Sequence, residues 1–196
     1  MRVLLIGATG TIGRAIREEL RESHSVVCVN RTSTPLSVDL DDHASIPALF
    51  AQLDGLEAII CAAGSARFKP LHQLGDEDLG ASIHNKLMGQ VQVIRHGISA
   101  LQPGGSITVT TGQLAQHPMA GGAALSLVNA ALEGFVRAAA LEAPHGLRIN
   151  AVSPGWVRPA GQPADGAAGG GMAAEQVALA YRQLLEGQDT GRIVQP

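Results

Sequence analysis

The fold is decided by the stretch Val3-Leu4-Leu5-Ile6-Gly7-Ala8-Thr9-Gly10-Thr11-Ile12-Gly13, which runs into a helical pattern over residues 14–20. Four apolar residues that end at a glycine predict a buried strand. A strand that enters a helix through glycine-rich backbone is typical of a phosphate site. Glycine permits a close approach there, and the helix N-terminus offers free N–H groups. The motif therefore predicts dinucleotide binding; the alternative is an ordinary strand-to-helix turn that binds nothing.

The glycines of this loop follow the spacing G-x-x-G-x-x-G. The more familiar dinucleotide loop has the spacing G-x-G-x-x-G. We expect a bound dinucleotide to contact the loop at Gly7, Thr9, Gly10, Thr11, Ile12 and Gly13.

The composition indicates one domain with a substantial apolar core. The chain has 196 residues, of which 45% are hydrophobic and only 3% aromatic, and 24 of them are glycine. A net charge of −3 does not suggest a nucleic-acid partner. The two cysteines belong to no metal-ligand pattern. We expect no signal peptide and no membrane span, which predicts a cytoplasmic protein.

Strand and helix patterns alternate along the chain, which predicts an α/β fold with parallel strands and right-handed crossovers. We expect a single domain over residues 1–196, built as a doubly wound parallel sheet of about seven strands with helices on both faces. Strands are predicted at 3–6, 25–29, 36–38, 56–61, 106–110, 147–152 and 192–194. Helices are predicted near 14–20, 43–53, 76–101, 123–141 and 173–185.

Residues 160–171 consist almost entirely of glycine, alanine and other loop-forming residues. This composition predicts a flexible surface loop. The loop follows a strand at the sheet edge where ligands bind in open α/β folds. One hypothesis is a lid that a bound cofactor orders; the alternative is simple disorder.

Four later segments carry further motifs. Cys61-Ala62-Ala63-Gly64 begins at the last residue of one predicted strand, residues 105–111 contain the next, and residues 129–135 lie on a long helix. Arg148-Ile149-Asn150-Ala151-Val152-Ser153-Pro154-Gly155 is the longest and most specific of them. With the Gly7–Gly13 loop in front, the chain resembles the short-chain dehydrogenase/reductase family over nearly its whole length. The resemblance implies a Rossmann-type fold that binds a nicotinamide dinucleotide.

The resemblance also implies cofactor contacts beyond the glycine loop. Asp39-Leu40 resembles the pair that contacts the adenine, and Ala62-Ala63-Gly64 resembles part of the segment after the fourth strand. The Pro-Gly pair resembles the segment beside the nicotinamide. The residues implied are Asp39, Leu40, Ala62, Ala63, Gly64, Pro154, Gly155, Trp156 and Val157.

Charge favours NADP over NAD as the cofactor. An NAD site usually places an acidic residue after the second strand, where this chain has Asn30-Arg31-Thr32. An acid would repel the 2′-phosphate of NADP, whereas an arginine pairs with it through charge-assisted hydrogen bonds. We therefore expect Arg31 to bind the phosphate, with Asn30 and Thr32 as hydrogen-bond partners. The alternative is that Arg31 is a solvated loop charge.

The residues that usually carry the chemistry of this family are missing. Its members place a tyrosine and a lysine in Tyr-x-x-x-Lys, and the tyrosine exchanges a proton with the substrate oxygen. Here the tyrosine position falls on Leu125, the lysine position on Asn129 and the usual serine position on Gly112. The only tyrosine, Tyr181, lies far downstream, so no ungapped shift restores the pair. The sequence therefore excludes the standard mechanism.

Three other residues are candidates for proton transfer or for binding the substrate oxygen. Lys86 falls where the family has the asparagine of Asn-x-x-Gly, and a buried lysine there could act as an acid or bond the cofactor ribose. Its alternative role is purely structural. Thr111 follows a strand and could bond the substrate oxygen. His117, on the next loop, has the best acid/base chemistry, although a surface histidine is the alternative.

The expected function is NADP-dependent hydride transfer to or from a small carbonyl or alcohol, with a rearranged acid/base site. The alternative is a non-catalytic dinucleotide-binding protein that serves as a sensor or partner. Residues 160–171 stand in for the family's usual substrate-binding insertion, so the pocket is small or completed by another subunit. The helices predicted at 76–101 and 123–141 favour a homodimer, or a tetramer, because the second has few polar faces.

Overall fold

The structure, a computed structural model, describes residues 1–159 and 171–196. Its strands are β1 Arg2–Ile6, β2 Ser25–Val29, β3 Leu56–Cys61, β4 Leu101–Thr110, β5 Arg148–Val152, β6 Val157–Arg158, β7 Met172–Ala173 and β8 Ile193–Val194. Six of these form one parallel sheet in the order β2-β1-β3-β4-β5-β8, and β6 pairs with β7. The predicted α/β class and parallel sheet are confirmed.

Helices cover both faces of the sheet. They are α1 Thr11–Leu20, α2 Ser45–Phe50, α3 Asp76–Ser82, α4 Gly89–Gly97, α5 Ala123–Glu142 and α6 Ala174–Glu186. Alternate strand residues point to opposite faces. Leu4 therefore packs in the core that holds α2, α4 and α5, whereas Leu5 packs with α1 and α6. Because both faces are covered, β1 is continuously apolar from Val3 to Ile6 and β3 from Ala58 to Cys61.

The prediction of a strand at 36–38 is wrong, and among the residues that the structure describes the sheet has six strands rather than about seven. These residues form an irregular segment in which the Val38 backbone N–H donates to Asn30 O at 3.1 Å. Val38 and Leu40 are nevertheless buried in the apolar core. The apolar pattern thus reported burial correctly, but a buried loop and a short buried strand share that pattern.

The long helical stretch predicted over 76–101 is confirmed, and it consists of several helical segments. A π-helical segment, Ile83–Met88, separates α3 from α4 and contains Lys86. β4 already begins at Leu101, and its pairing with β3 shifts register before Ser106. π-helical turns are frequent at functional sites, and this one faces the cavities described below.

Among the described residues, α5 alone has the length and composition of a membrane-crossing helix, with a mean hydropathy of 1.4. A core helix of a protein that does not span a membrane can have the same length and composition. α5 packs against β5 and carries the buried, hydrogen-bonded side chain of Glu133.

The flexible loop predicted at 160–171 lies outside the described residues, except for Gly171. The described flanks are paired: Met172 N donates to Trp156 O at 2.8 Å, and Arg158 Nη1 donates to Gly171 O at 2.5 Å.

Candidate active site

Two cavities lie side by side at the carboxyl edge of the sheet, and both are lined by Ala63 and Gly64. The Arg31 cavity has a volume of about 320 Å³ and adjoins the ends of β1 and β2. The Lys86 cavity has a volume of about 400 Å³ and adjoins the ends of β3, β4 and β5. Ligands of open α/β sheets bind at this edge, where the strand order reverses. Here the order reverses between β1 and β3, beside both cavities.

Most of the predicted cofactor residues lie at these two cavities. Those that line the Arg31 cavity are Gly7, Asn30, Arg31, Asp39, Leu40, Ala63 and Gly64. Those that line the Lys86 cavity are Ile12, Ala62, Ala63, Gly64, Pro154, Gly155, Trp156 and Val157. The structure places the catalytic candidates Lys86, Thr111 and His117 at the Lys86 cavity as well. Thr9, Gly10, Thr11, Gly13 and Thr32 line neither cavity.

Two glycines allow the backbone of the first loop to pack tightly. Gly7 has φ +87°, and a Cβ there would lie 2.7 Å from Ala62 O. A Cβ on Gly13 would lie 2.1 Å from Gly7 O. Gly13 therefore lets α1 pack on the end of β1, while Gly7 itself faces the cavity.

The turn after β2 presents Arg31 to solvent at the cavity. Asn30 Oδ1 accepts from Thr32 N at 2.8 Å and from Thr32 Oγ1 at 3.1 Å. These two side chains therefore shape the turn that carries Arg31. Arg31 is exposed, and within the described part of the chain its guanidinium makes no ion pair.

Lys86 is buried at the base of the second cavity. Its Nζ donates to Thr110 O at 3.2 Å, and no carboxylate of the described residues lies within ion-pair distance. Burial lowers the pKa of Lys86 from 10.5 to about 8, an effect that the nearby Cys61 partly opposes. Burial likewise raises the pKa of the Cys61 thiol to about 11. At pH 7 Lys86 is therefore mostly the ammonium form. A rise in pH through 8 converts it to the neutral amine.

Gln90 fixes the end of β4 beside Lys86, and the sequence analysis missed it. Its Nε2 donates to Thr110 O at 2.9 Å and to Lys86 O at 3.1 Å, and its Oε1 accepts from Thr110 N at 2.8 Å. Lys86 and Gln90 thus share one carbonyl acceptor. Their spacing of i and i+4 on one helical face was the signal available in the sequence.

A second missed residue, Glu133, connects the loops that follow β4 and β5. Its Oε1 accepts from Thr111 Oγ1 at 3.2 Å and from Ser153 Oγ at 3.0 Å. Its Oε2 accepts from Gln116 Nε2 and, at 3.3 Å, from Arg137. The Thr111 hydroxyl proton is therefore directed at Glu133 rather than at a substrate.

The walls of the Lys86 cavity are largely apolar on the outer side. Leu114, Met119, Leu125 and Trp156 line it, and Met119 and Trp156 are exposed at its mouth. His117 also lies there and is exposed. A mostly apolar pocket with a few polar groups is the usual form of a small-molecule site.

Comparison with known proteins agrees with this architecture. A family model described as enoyl-(acyl carrier protein) reductase, a short-chain dehydrogenase/reductase family, matches residues 8–194. The chain belongs to the short-chain dehydrogenase/reductase family. The crystal structure of the protein lin1944 from Listeria innocua is 35% identical, with a TM-score of 0.91 and coverage of 100% of this chain and 98% of that one.

Two other members of the family are more distant. A small-chain dehydrogenase in complex with NADPH is 25% identical, with a TM-score of 0.88, and the match covers 100% of this chain and 96% of that one. Hydroxynaphthalene reductase arp2 of Aspergillus fumigatus is 24% identical over 74% of this chain. The chain spans only 55% of the length of that curated relative.

The three residues that the sequence predicts at the family's tyrosine, lysine and serine positions lie together. Leu125 and Asn129 line the Lys86 cavity, as does Gly112. The one tyrosine, Tyr181, is buried on the other face of the sheet, where its hydroxyl bonds Thr110 Oγ1 at 2.6 Å. Burial raises the pKa of Tyr181. Its hydroxyl is therefore part of the core and not of the cavity.

Proposed function

We propose that this chain is an NADP-dependent oxidoreductase that transfers hydride to or from a small carbonyl or alcohol, with Lys86 in place of the usual proton donor. The observation that carries the proposal is the buried Lys86 ammonium at a cavity beside the Gly7–Gly13 loop. The NADPH complex of the 25% identical dehydrogenase supports the choice of cofactor.

The residues present fit a dinucleotide. Gly7 and Gly64, both at positive φ, bring bare backbone to the cavity walls. The α1 helix begins at Thr11 and directs its free N–H groups toward the loop. Arg31 would pair with a 2′-phosphate, and Asp39 and Leu40 would hold the adenine end. The Pro154-Gly155 backbone would border the nicotinamide in the Lys86 cavity.

Lys86 would transfer the proton of the reaction. NADPH supplies the hydride to the carbonyl carbon when it is bound. The Lys86 ammonium donates a proton to the carbonyl oxygen in reduction, and the neutral amine accepts one in oxidation. The apolar wall formed by Leu114, Met119, Leu125 and Trp156 favours a carbonyl group carried on an apolar body.

We propose further that the standard serine–tyrosine–lysine mechanism does not operate here, since Gly112, Leu125 and Asn129 cannot move a proton. The same three residues favour a second candidate, a dinucleotide-binding sensor without catalysis. Fluorescence titration with NADPH followed by a panel of apolar ketones and aldehydes separates the two. Binding with turnover supports the enzyme, binding without turnover supports the sensor, and no binding rejects both.

Replacing Arg31 by alanine is expected to raise the Kd for NADPH by roughly 10- to 100-fold, because a charge-assisted contact to the 2′-phosphate is lost. The Kd for NADH, which lacks that phosphate, should change little. Fluorescence titration of both cofactors measures the difference. Arg95→Ala removes the same charge from an exposed site on α4 and is the control. An equal loss for NADPH and NADH would reject the role of Arg31.

We propose that the chain forms a homodimer through α5. The exposed face of this helix carries Leu127, Ala131, Gly134, Ala138 and Leu141, a continuous apolar stripe.

Leu127→Glu should yield a monomer at micromolar concentration, because a carboxylate would be buried without a partner. Light scattering after size exclusion measures the mass. Leu179→Glu, at a similarly exposed leucine on α6, is the control and should leave the dimer intact. A wild-type protein that is monomeric would contradict the proposal.

Two expectations from the sequence, assembly into a tetramer and a cytoplasmic location, stay predictions.

A further inference from the structure

Gln90 is a fully buried polar side chain that lines neither of the two cavities. Its carboxamide completes the end of β4, where the pairing with β3 stops at Cys61 and Val109, one residue before Thr110. Gln90 Oε1 accepts from Thr110 N at 2.8 Å, and its Nε2 donates to Thr110 O at 2.9 Å. The amide therefore supplies the donor and the acceptor that a longer β3 would supply, and it fixes the Thr110 carbonyl.

The Thr110 carbonyl is also the group that holds Lys86. Its oxygen accepts from Gln90 Nε2 at 2.9 Å and from Lys86 Nζ at 3.2 Å, so both of its lone pairs are used. The Lys86 ammonium has three N–H donors, and this is its one hydrogen bond to the described residues. An added Cβ on Gly64 would lie 3.3 Å from Lys86 Cγ and 3.5 Å from Gln90 Nε2, so the loop after β3 packs closely on both side chains.

We propose that Gln90 is a positioning residue for Lys86, because its uncharged amide fixes the acceptor of the ammonium group without offering that group an anionic partner. The inference rests on the proposed function, in which Lys86 transfers the proton. Gln90 Nε2 and Lys86 Nζ lie within about 6 Å of each other, since both bond Thr110 O, and an opposite charge at that distance stabilises an ammonium group. A glutamate at residue 90 would therefore pair with Lys86, whereas the amide leaves it unpaired.

Other titratable groups near Lys86 keep their state while it titrates near pH 8. Burial raises the pKa of Cys61 to about 11 and raises the pKa of Tyr181 as well, so both are neutral at that pH. Glu133 on α5 already accepts hydrogen bonds from other residues, and His117 is exposed at the cavity. A charge at residue 90 should therefore act on Lys86 directly.

Gln90→Glu should raise the pKa of Lys86, so that the fall in kcat/KM for reduction moves up by roughly one pH unit or more. Oxidation needs the neutral amine and should fall at least about fivefold at pH 8. NMR of the side-chain amines follows the same titration without turnover. Gln92→Glu places the same charge on α4 beside Arg95 and should change neither. A Lys86 resonance that titrates at the wild-type pH in folded Gln90→Glu overturns the inference.

Gln90→Met keeps the side-chain length and removes both contacts to Thr110. Turnover should fall roughly 10- to 100-fold, the effect of a misplaced catalytic group, while the NADPH Kd changes less than about twofold. Hydrogen exchange at the Thr110 amide should become faster, whereas the Thr111 amide, bonded to Val152 O at 2.9 Å, should stay slow. Circular dichroism checks that each variant folds.

The outcomes separate the inference from the proposed function. Full turnover in folded Gln90→Met, or unchanged exchange at the Thr110 amide, overturns the inference and leaves the proposed function intact. A wild type that binds NADPH without turnover overturns the proposed function, and the positioning role falls with it even if Gln90→Glu shifts the titration of Lys86.

Discussion

Lys86→Met is expected to lower turnover with NADPH by roughly 10²- to 10⁴-fold, the usual contribution of a positioned general acid. Methionine keeps the apolar stem that packs against Gly64, where Lys86 Cγ would lie 3.3 Å from an added Cβ. The substitution therefore removes the ammonium with little change in packing. The NADPH Kd should change far less than kcat. Equal turnover in wild type and Lys86→Met would reject Lys86 as the proton donor.

The pH dependence provides a second measurement of the same role. Reduction needs the protonated amine, so kcat/KM for reduction should fall above pH 8, where the pKa of Lys86 lies. Oxidation needs the neutral amine and should rise through the same pH. Lys86→Arg stays charged over this range and should remove the inflection.

The chain has only two lysines, which makes the titration of Lys86 directly visible by NMR of the side-chain amines. Lys69 is half-exposed and ion-paired with Asp78 at 2.8 Å, and the Lys86→Met variant shows which resonance belongs to Lys86. The Lys86 resonance should titrate near pH 8, below the ordinary lysine pKa of 10.5. A Lys86 resonance that titrates at the ordinary value would contradict the burial of Lys86.

Glu133→Ala is expected to lower the free energy of unfolding by roughly 2–4 kcal/mol. The variant leaves the Thr111 and Ser153 hydroxyls without their buried acceptor and opens a small cavity. In a chain of this size, the corresponding fall in Tm is roughly 5–15 °C. Thermal unfolding followed by circular dichroism measures it.

Two controls on the same helix separate this buried network from surface charge. Glu142→Ala removes an exposed carboxylate at the end of α5 and should leave Tm nearly unchanged. Arg137→Ala removes only the half-exposed partner of Glu133 and should cost less than about 1 kcal/mol. A Glu133→Ala variant as stable as Glu142→Ala would show that the carboxylate does not hold the two loops.

Most of the fold could be predicted because its signals are local. The apolar runs at 25–29 and 56–61 became β2 and β3 with those same bounds. The prediction of a strand at 36–38 was wrong because Val38 is buried as part of a loop. Burial alone does not distinguish a loop from a strand. The helical stretch predicted over 76–101 is present, but its π-helical segment around Lys86 was not predicted, because composition does not distinguish a π-helical turn from an α-helix.

Residues of the candidate site could be predicted only where the residue type or motif by itself indicates a binding role. The glycine loop and Arg31 stood out because backbone freedom and charge are properties of single residues. Gln90 and Glu133 did not, since a glutamine or glutamate on a helix is usually solvated. Each is buried here because its partners come from distant parts of the chain: Thr110 at the end of β4 for Gln90, and Ser153 just after β5 for Glu133.

The sequence by itself determined the parallel α/β architecture and predicted Leu125 and Asn129 at the tyrosine and lysine positions, because hydrophobic periodicity and residue identity can be read along the chain. Only the tertiary structure decided which groups meet at the cavity. It buried the Lys86 ammonium in the cavity wall and placed Asn129 opposite Gly112. Desolvation and hydrogen-bond satisfaction depend on neighbours far apart in sequence, so both properties exist only in the folded chain.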